Sequence, residues 1–406
     1  MRFEILIFIL VSTVTSVVSF IYYILNYYGA KSLKIKDKDH YDRMNYSMND
    51  VTAIVPVHSE SANLFSNSVE SLRWQVARVI VVGDGVSEPY REICAQKGIE
   101  FISLSERSGK RAAMADGMKH VNTAVTLFMD SDAVISSDAV MRVLRTFRSN
   151  VGGVGGNIHM NTSDESPYSY AGEFFERSKE TVQKTMMAFG SVMLIDAACA
   201  AYRTDIIRDY VLSDEFRNYR VHGEIPYHGG GDDAELTSYV IRNGYIAAKA
   251  FDANVMVESR KSLRSMSKQY IRWSRTSWRA FFGNLRNGTF RKANKFYKLE
   301  QILTYSLPVL FLSVIIFKSA FLLLMISRFG FHPLIIARLF IYMPDSRLFH
   351  LSTFTSLLSS LSSIFFLSTI FSRETKKKLK LFIYGVSGTF LLFLTTILGL
   401  FTFNRN

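Results

Sequence analysis

Asp130 and Asp132 flank a single residue, Ser131, so on an extended segment both carboxylates point the same way. Two such carboxylates suit a hard divalent cation, Mg2+ or Mn2+, held together with a substrate diphosphate. The same spacing also occurs in solvated turns. Ser108-Gly109-Lys110-Arg111 opens a predicted helix with two cations, where free backbone N–H groups favour an anion. An ordinary charged helix start reads the same way. Gly229-Gly230-Gly231-Asp232-Asp233 puts two acids at the start of another helix, after backbone free to approach a ligand closely. Asp232 reads as a helix cap or as a site acid, and Asp233 as a general base. Farther on, Gln269 lies three and four residues from Arg272 and Trp273, on one helix face. His222 and His228 lack metal-ligand spacing and take no role. Gly152–Gly156 offers no GxGxxG fingerprint and reads as a glycine-rich strand.

The elements that must position these groups alternate regularly. Val51–Val57 reads as a buried strand, followed by a helical pattern to about Gln75. Arg78–Val82 is a second strand ending at Gly83-Asp84-Gly85, a helix near 88–97 leads to strand Ile99–Leu104, and a helix from Lys110 to His120 feeds strand Ala124–Met129. A later helix spans Ala234–Asn243. Strands alternating with helices of this length imply βαβ units and a mostly parallel sheet. Ligands bind such sheets beyond the carboxyl ends of the strands. Val57-His58-Ser59-Glu60, Asp84 and Asp130–Asp132 all fall at such ends, which places one polar rim around one site.

Composition sets the wider frame. The 406 residues are 48% hydrophobic and only 20% charged, with mean hydropathy +0.11, too apolar for a disordered chain. Two cysteines, Cys94 and Cys199, exclude a disulfide scaffold and a cysteine-based zinc cluster. The apolar residues concentrate at both ends. Residues 5–28 and, toward the C-terminus, roughly 301–326, 348–371 and 380–403 are each long enough for a membrane helix of ~20 residues. Segment 330–343 is shorter and carries Arg338, so it reads as interfacial or re-entrant. Basic clusters at Lys31, Lys34, Lys36 and Lys38 and at Arg373, Lys376, Lys377, Lys378 and Lys380 should be cytoplasmic. Four spans then put both clusters and a globular domain at 45–260 on the cytoplasmic side of a multi-pass membrane protein. The net charge of +13 calls for an anionic partner. From Lys261 to Leu299 there are eleven Lys and Arg and no Asp or Glu, interleaved with Met266, Trp278, Phe281, Phe282 and Leu285. That composition suits amphipathic helices lying on an anionic lipid bilayer, and nucleic acid is not an expected partner.

Taken in order, Pro56–Glu60, Asp84, Gly109-Lys110-Arg111, Asp130-Ser131-Asp132, Gly152–Gly156, Ala200-Ala201-Tyr202-Arg203, Gly231-Asp232-Asp233 and Gln269–Trp273 resemble the membrane-embedded, processive family 2 glycosyltransferases. The hyaluronan and chitin-oligosaccharide synthase branch is the nearest match, over about residues 50–285. The resemblance implies a GT-A domain, a Rossmann-like mixed sheet with helices on both faces, joined to a helical transmembrane region. It implies a UDP-sugar pocket built from Pro56, His58, Glu60, Asp84, Lys110, Arg111, Asp130 and Ser131. Glu60 and Asp84 would hold the uridine, Lys110 the nucleotide or diphosphate, and Asp130 and Asp132 the diphosphate-bound Mg2+ or Mn2+. Asp233 would deprotonate the acceptor, with Asp232 beside it. Gln269, Arg272 and Trp273 would sit at the mouth of a membrane channel, Trp273 stacking the acceptor sugar and Arg272 near the diphosphate. The implied activity is metal-dependent, inverting transfer from a donor such as UDP-GlcNAc to a growing polysaccharide that is moved across the membrane.

This chain departs from that branch in three places. One N-terminal span stands where two are usual, Asp196-Ala197-Ala198 replaces a Ser-Gly-Pro/Ala stretch, and Arg373-Glu374-Thr375 stands where a Trp-Gly-Thr loop is expected. Transfer of a single sugar to a lipid-linked acceptor is the alternative reading. A non-enzymatic pore or sensor is a minor one, disfavoured by the four acids at 84, 130, 132 and 233.

Overall fold

The computed structural model describes residues 2–33, 42–221, 225–226, 231–330, 347–373 and 377–404. His222, His228, Gly229, Gly230, Lys34, Lys36, Lys38, Glu374, Thr375, Lys376 and most of the 330–343 segment lie outside the described residues.

A long apolar helix, α1 (Arg2–Ser32), leads into an α/β domain. Its first strand, β1 (Val51–Val57), is buried at every position, as a run covered on both faces must be. Helix α2 (Ala62–Arg73) follows, then β2 (Arg78–Gly83), α3 (Tyr90–Lys97), β3 (Glu100–Ser103), α4 (Lys110–Met118) and β4 (Val125–Phe128). The Ser61 hydroxyl accepts the Leu64 N–H at 3.4 Å to start α2, and Gly98, at φ 66°, ends α3 in the left-handed region. These elements fall where the sequence pattern puts them. Beyond them come β5 (Ala133–Ile135), α5 (Ala139–Thr146), β6 (Val151–Met160), α6 (Pro167–Phe189), β7 (Ala200–Arg203), α7 (Thr204–Leu212), α8 (Asp214–Arg217) and the short pair β8 (Arg220–Val221) and β9 (Ile225–Pro226). Helix α9 (Asp232–Arg242) and β10 (Ile246–Val257) complete the domain.

Eight strands form one sheet in the order β3-β2-β1-β4-β7-β6-β10-β5. It is mixed: β7 runs antiparallel to both β4 and β6, and β5 runs antiparallel to β10. β10 and β6 pair in parallel, as β1 to β4 do, so the expectation of a mostly parallel sheet holds for every strand but β7 and β5. Apolar side chains of α2, α3 and α5 cover one face, and those of α4, α6, α7 and α9 cover the other. The glycine-rich stretch is β6, as read from its lack of a dinucleotide fingerprint.

The remaining helices are α10 (Leu263–Arg286), α11 (Thr289–Lys292), α12 (Lys295–Phe329), α13 (Arg347–Ile370) and α14 (Lys378–Thr402). Four helices among the described residues are long and apolar enough to cross a bilayer: Ile9–Ser32, Lys295–Phe317, His350–Ile370 and Lys378–Thr402. The outward-facing side chains are apolar: Leu323 is 67% exposed and Phe354 58%. The second span candidate begins inside the stretch assigned to the basic interface, because α12 starts at Lys295 and runs without a break into its apolar part.

The basic helix α10 is docked on protein, so its apolar face does not meet lipid alone. The Trp278 Nε1–H donates to the Thr396 carbonyl at 2.8 Å, and the Arg279 Nε–H donates to the Phe403 carbonyl at 2.6 Å. A Cβ on Gly399 of α14 would lie 2.7 Å from the Ser274 Cβ of α10, and one on Gly388 would lie 2.7 Å from the Ala171 Cβ of α6. Glycine is required at both crossings for the backbones to approach. Arg177 of α6 is buried and donates to the Ile370 carbonyl at 3.1 Å, a cation on the last carbonyls of α13. Helices α6 and α10, which carry one wall of the site, are thus clamped between the sheet and the apolar helices.

Candidate active site

The rim begins at β1. Glu60 folds back on its own loop, its Oε2 accepting the His58 and Ser59 N–H groups at 3.1 and 3.0 Å. The His58 ring Nδ1 lies 2.9 Å from the Asp84 carbonyl, which ties the β1 and β2 ends together. Asp84 is buried and accepts the Ser108 N–H at 2.7 Å and the Gly109 N–H at 3.0 Å. A carboxylate there satisfies orphan donors at the start of α4, and Gly109, at φ 92°, supplies the turn. Pro56 is buried within β1, and Ser131 is buried between the two acids of the β4 end.

That anchored helix start throws Lys110 across the rim. Its ammonium lies 2.6 Å from Asp130 Oδ1 and 2.9 Å from Asp232 Oδ2. Burial opposes its charge, but the two carboxylates outweigh burial and hold Lys110 firmly protonated. Arg111 turns the other way. Its Nη2 donates to the Gly231 carbonyl at 2.9 Å, and its guanidinium packs over the Tyr219 ring at 4.3 Å.

Gly231, at φ 82°, is the cap of α9, and Asp232 is its first helical residue. The cap reading of Asp232 is thereby corrected: its side chain is spent on Lys110. Burial raises the Asp232 pKa, but Lys110 and then Arg111 bring it below the ordinary value. Asp233 is the reverse. Burial, and then the charge of Asp232, raise it from 3.8 to about 7, against the pull of Lys110 and the Ala234 N–H that its Oδ1 accepts at 2.8 Å. Adjacent acids whose environments drive them apart are a pattern of acid–base sites. One stays ionised beside a cation. The other is poised to take a proton near neutrality.

Asp132, across the rim, is raised to about 6 by burial, then by Asp130 and Glu60. Arg260, just beyond the end of β10, opposes that rise. The sequence reading missed Arg260 because it stands immediately before the basic run and looks like its first member. Among the described residues no group of three or more His, Cys, Asp or Glu could hold a metal. The Asp130–Asp132 pair nevertheless offers the hard oxygen donors that Mg2+ or Mn2+ takes when substrate phosphates complete the shell.

The final wall is α10. The Ser262 hydroxyl starts it by accepting the Ser265 N–H at 3.2 Å. It crosses the start of α9 where a Cβ on Gly231 would lie 2.8 Å from Thr276 Cγ2, and Ser238 donates to the Asn284 side chain at 2.6 Å farther along. The Gln269–Trp273 turn is therefore held one turn before the Gly231-Asp232-Asp233 corner. Gln269 and Trp273 are half-buried and Arg272 is exposed. Trp273 meets Tyr270 and Phe175 with ring centroids 5.7 and 5.8 Å away, so three rings form a corner. Phe175, from α6, carried no signal in the sequence beyond an ordinary apolar helix position.

Residues 52–211 match the family model described as glycosyl transferase family 2. Among curated proteins the chain is 25% identical over 243 residues to an N-acetylglucosaminyltransferase of Azorhizobium caulinodans, covering 56% of this chain and 60% of that protein. A second N-acetylglucosaminyltransferase, from Bradyrhizobium diazoefficiens, is 25% identical over 57% of this chain and 50% of its own length. Hyaluronan synthase 3 of Homo sapiens is 24% identical over 52% of this chain and 38% of its own. The match thus spans about half the length of the curated relatives. Among solved structures, a mannosyltransferase from Pyrobaculum calidifontis in complex with GDP-Man and Mn2+ superposes with TM-score 0.59 at 17% identity, covering 90% of this chain and all of that one. At that identity the likeness concerns the fold, and it is the mixed sheet expected of a GT-A domain.

Proposed function

We propose that this chain, which carries a family 2 glycosyltransferase domain, transfers a sugar with inversion from a UDP-sugar such as UDP-GlcNAc to a growing polysaccharide and passes the product across the bilayer in which its apolar helices sit. The observation that carries the reading is the corner made by Lys110, Asp130, Asp232 and Asp233. Transfer needs a base on the attacking hydroxyl and cationic charge on the departing diphosphate. Asp233, raised to about 7, is the base, and Lys110 is the protein's own cation for the diphosphate. Asp232 keeps Lys110 charged and aimed. Asp130 and Asp132 would hold Mg2+ or Mn2+, which when bound supplies further charge neutralisation on the diphosphate. Glu60 and Asp84 lie at the strand ends where the uridine would rest, with Pro56, His58, Ser131 and Arg111 shaping the pocket. Trp273 offers an aromatic face to the acceptor sugar, with Gln269 and Arg272 on the same turn. The curated relatives named N-acetylglucosaminyltransferase and hyaluronan synthase support an amino-sugar donor.

The direct test is turnover by the full chain in lipid nanodiscs with a panel of UDP-sugars and Mg2+ or Mn2+, reading UDP release and product size. One or two donors should release UDP and give a polymer. A product one sugar longer than a lipid-linked acceptor would favour the single-transfer reading, which the Asp196-Ala197-Ala198 and Arg373-Glu374-Thr375 departures keep open. Release with no donor of the panel would overturn both.

The membrane reading carries its own prediction. Both the domain and the loop before α14 should face the cytoplasm, the side to which basic flanks are retained. Cys94 and Cys199 are buried, so engineered thiols can be labelled over little background. Lys119→Cys and Lys377→Cys should react with an impermeant maleimide only after cells are opened. Labelling at 377 but not at 119 in intact cells would place that loop outside and give segment 330–343 a span of its own.

A further inference from the structure

Beneath the aromatic corner lies a set of charges that the transfer chemistry does not use. Lys179, on α6, sits with its ammonium 2.6 Å from Glu176 Oε2 and 2.7 Å from Asp196 Oδ1. Lys249, on β10, lies 3.3 Å from Asp196 Oδ2 and donates to the Gln183 side chain. Glu176, Asp196 and Lys249 are buried, whereas the Lys179 side chain keeps 18% of its surface open. Burial works against Asp196, but Lys179 and then Lys249 hold its pKa down at about 2. Two carboxylates and two ammonium groups thus form a rigid, locally neutral block. Packing it with apolar side chains of similar volume would be neutral or stabilising in many proteins, so stability alone gives it little reason to exist.

Its position supplies one. The Lys179 ammonium stands 5.6 Å from the Phe175 ring centroid, and Phe175 packs against Trp273. On the other side of Lys179, Asp196 follows Ile195, whose N–H donates to the Thr237 hydroxyl at 2.9 Å, and that hydroxyl donates to the Asp233 carbonyl at 2.7 Å. Lys179 therefore lies between the aromatic corner and the proposed base. An ammonium has three N–H donors. Asp196 accepts one and Glu176, an ion-pair neighbour, can take at most one more, which leaves one for a ligand oxygen. We propose, on the sugar-transfer reading above, that Lys179 is a specificity-determining contact to the acceptor sugar, donating its third N–H to a neutral oxygen of the ring substituents while Trp273 and Phe175 take the apolar face. A neutral oxygen, hydroxyl or acetamido carbonyl, fits better than a carboxylate. The block carries no net charge to offset that of a carboxylate, which would be desolvated beside Glu176 and Asp196. Asp196 and Lys249 act through Lys179, fixing its direction, and are positioning residues.

Chitotetraose serves as the acceptor probe. Lys179→Met should raise the acceptor KM by about 10-fold, as loss of one hydrogen bond from a charged donor does, with the donor KM shifting far less, and Lys179→Arg should recover part of the loss. A purely structural lysine would instead move both KM values, kcat and Tm together. A second measurement needs no variant: in a hydrogen–deuterium exchange footprint of the wild-type chain, chitotetraose should slow exchange of the backbone amides at 175–183 relative to those at 115–121, and UDP alone should not. An unchanged acceptor KM in a folded Lys179→Met chain overturns the assignment. So does absence of protection in the footprint, which decides the matter where the variant does not fold. Failure of the sugar-transfer reading looks different, since the wild-type chain would then release UDP from no donor while the footprint still reports whether a sugar reaches Lys179.

Discussion

Asp233→Asn is expected to lower transfer by about 10²–10⁴-fold, the share of rate that a positioned general base supplies, without lowering the melting temperature. The two effects share a cause. Burial and the neighbouring charge of Asp232 raise Asp233 from 3.8 to about 7, so the folded chain prefers it protonated. In linkage terms the folded state binds more protons than the unfolded state between those values. The contribution of this group to stability therefore falls as pH rises through that window, and above about 7 the full penalty is present. Asn mimics the neutral acid, so the variant should match wild type only at pH values below 3.8, should already be more stable at pH 6, and should show the full difference at pH 8. Catalysis runs the opposite way, because only the ionised carboxylate takes a proton. Wild-type transfer should climb with pH and level off above about 7, and the variant should lose that limb. Asp232→Asn should destabilise instead, since it strips Lys110 of one of its two carboxylates. Donor Kd, transfer rate and Tm measured for both variants over pH 5.5–8.5 decide the assignment. Full transfer in Asp233→Asn would move the base elsewhere, and a dead Asp232→Asn beside an active Asp233→Asn would move it by one residue.

What the sequence carried about this site divides by the range of the interactions. β1 to β4 were legible because each is a short apolar run closed by a turn signal, and their rim followed because parallel strands end on one side. The directions of β7 and β5 were not, since they depend on how long connections return to the sheet. β7 comes back antiparallel only after α6 has crossed a face. Lys110, Asp130, Asp232 and Asp233 announced themselves by residue type at element starts and ends. That Asp232 serves Lys110 rather than the helix start was hidden, because the partner lies in a different βα unit. The Lys179–Asp196–Lys249 block was invisible for the same reason: in isolation Lys179 is an ordinary charged helix residue near Glu176, and Asp196 registered only as a departure from a familiar stretch. The basic helix shows the limit most plainly. Its composition says that an apolar face and a cationic face exist, and it cannot say whether lipid or protein meets the apolar one. Trp278 and Arg279 bonded to the backbone of α14 and the residue after it show that protein takes a large part.

Removal of divalent cations is the other change expected to abolish transfer, because Lys110 is already committed to two carboxylates. Its single ammonium is shared between Asp130 and Asp232, leaving Asp132 without that cation. Asp132 feels Asp130 and Glu60 as neighbouring negative charges, which only Arg260 partly offsets. A diphosphate brought to this rim adds more negative charge beside three carboxylates. At ~4 Å each unit pair costs about 4 kcal/mol at an effective dielectric of 20, so a donor without a divalent partner should bind weakly. UDP affinity by calorimetry should therefore rise sharply when Mn2+ or Mg2+ is added, and EDTA should return it to the metal-free value while stopping UDP-sugar turnover. Asp132→Asn should lower the metal-dependent part of UDP affinity by at least the ~10–100-fold that loss of an outer-shell partner costs. The variant should keep its fold, because it removes a carboxylate that burial already disfavours. Lys110→Met separates the two cations: it should weaken UDP binding both with and without metal, whereas Asp132→Asn should act only when metal is present. Turnover in EDTA at the wild-type rate, or equal UDP affinity for wild type and Asp132→Asn in Mn2+, would mean that Lys110 and its neighbours neutralise the diphosphate unaided.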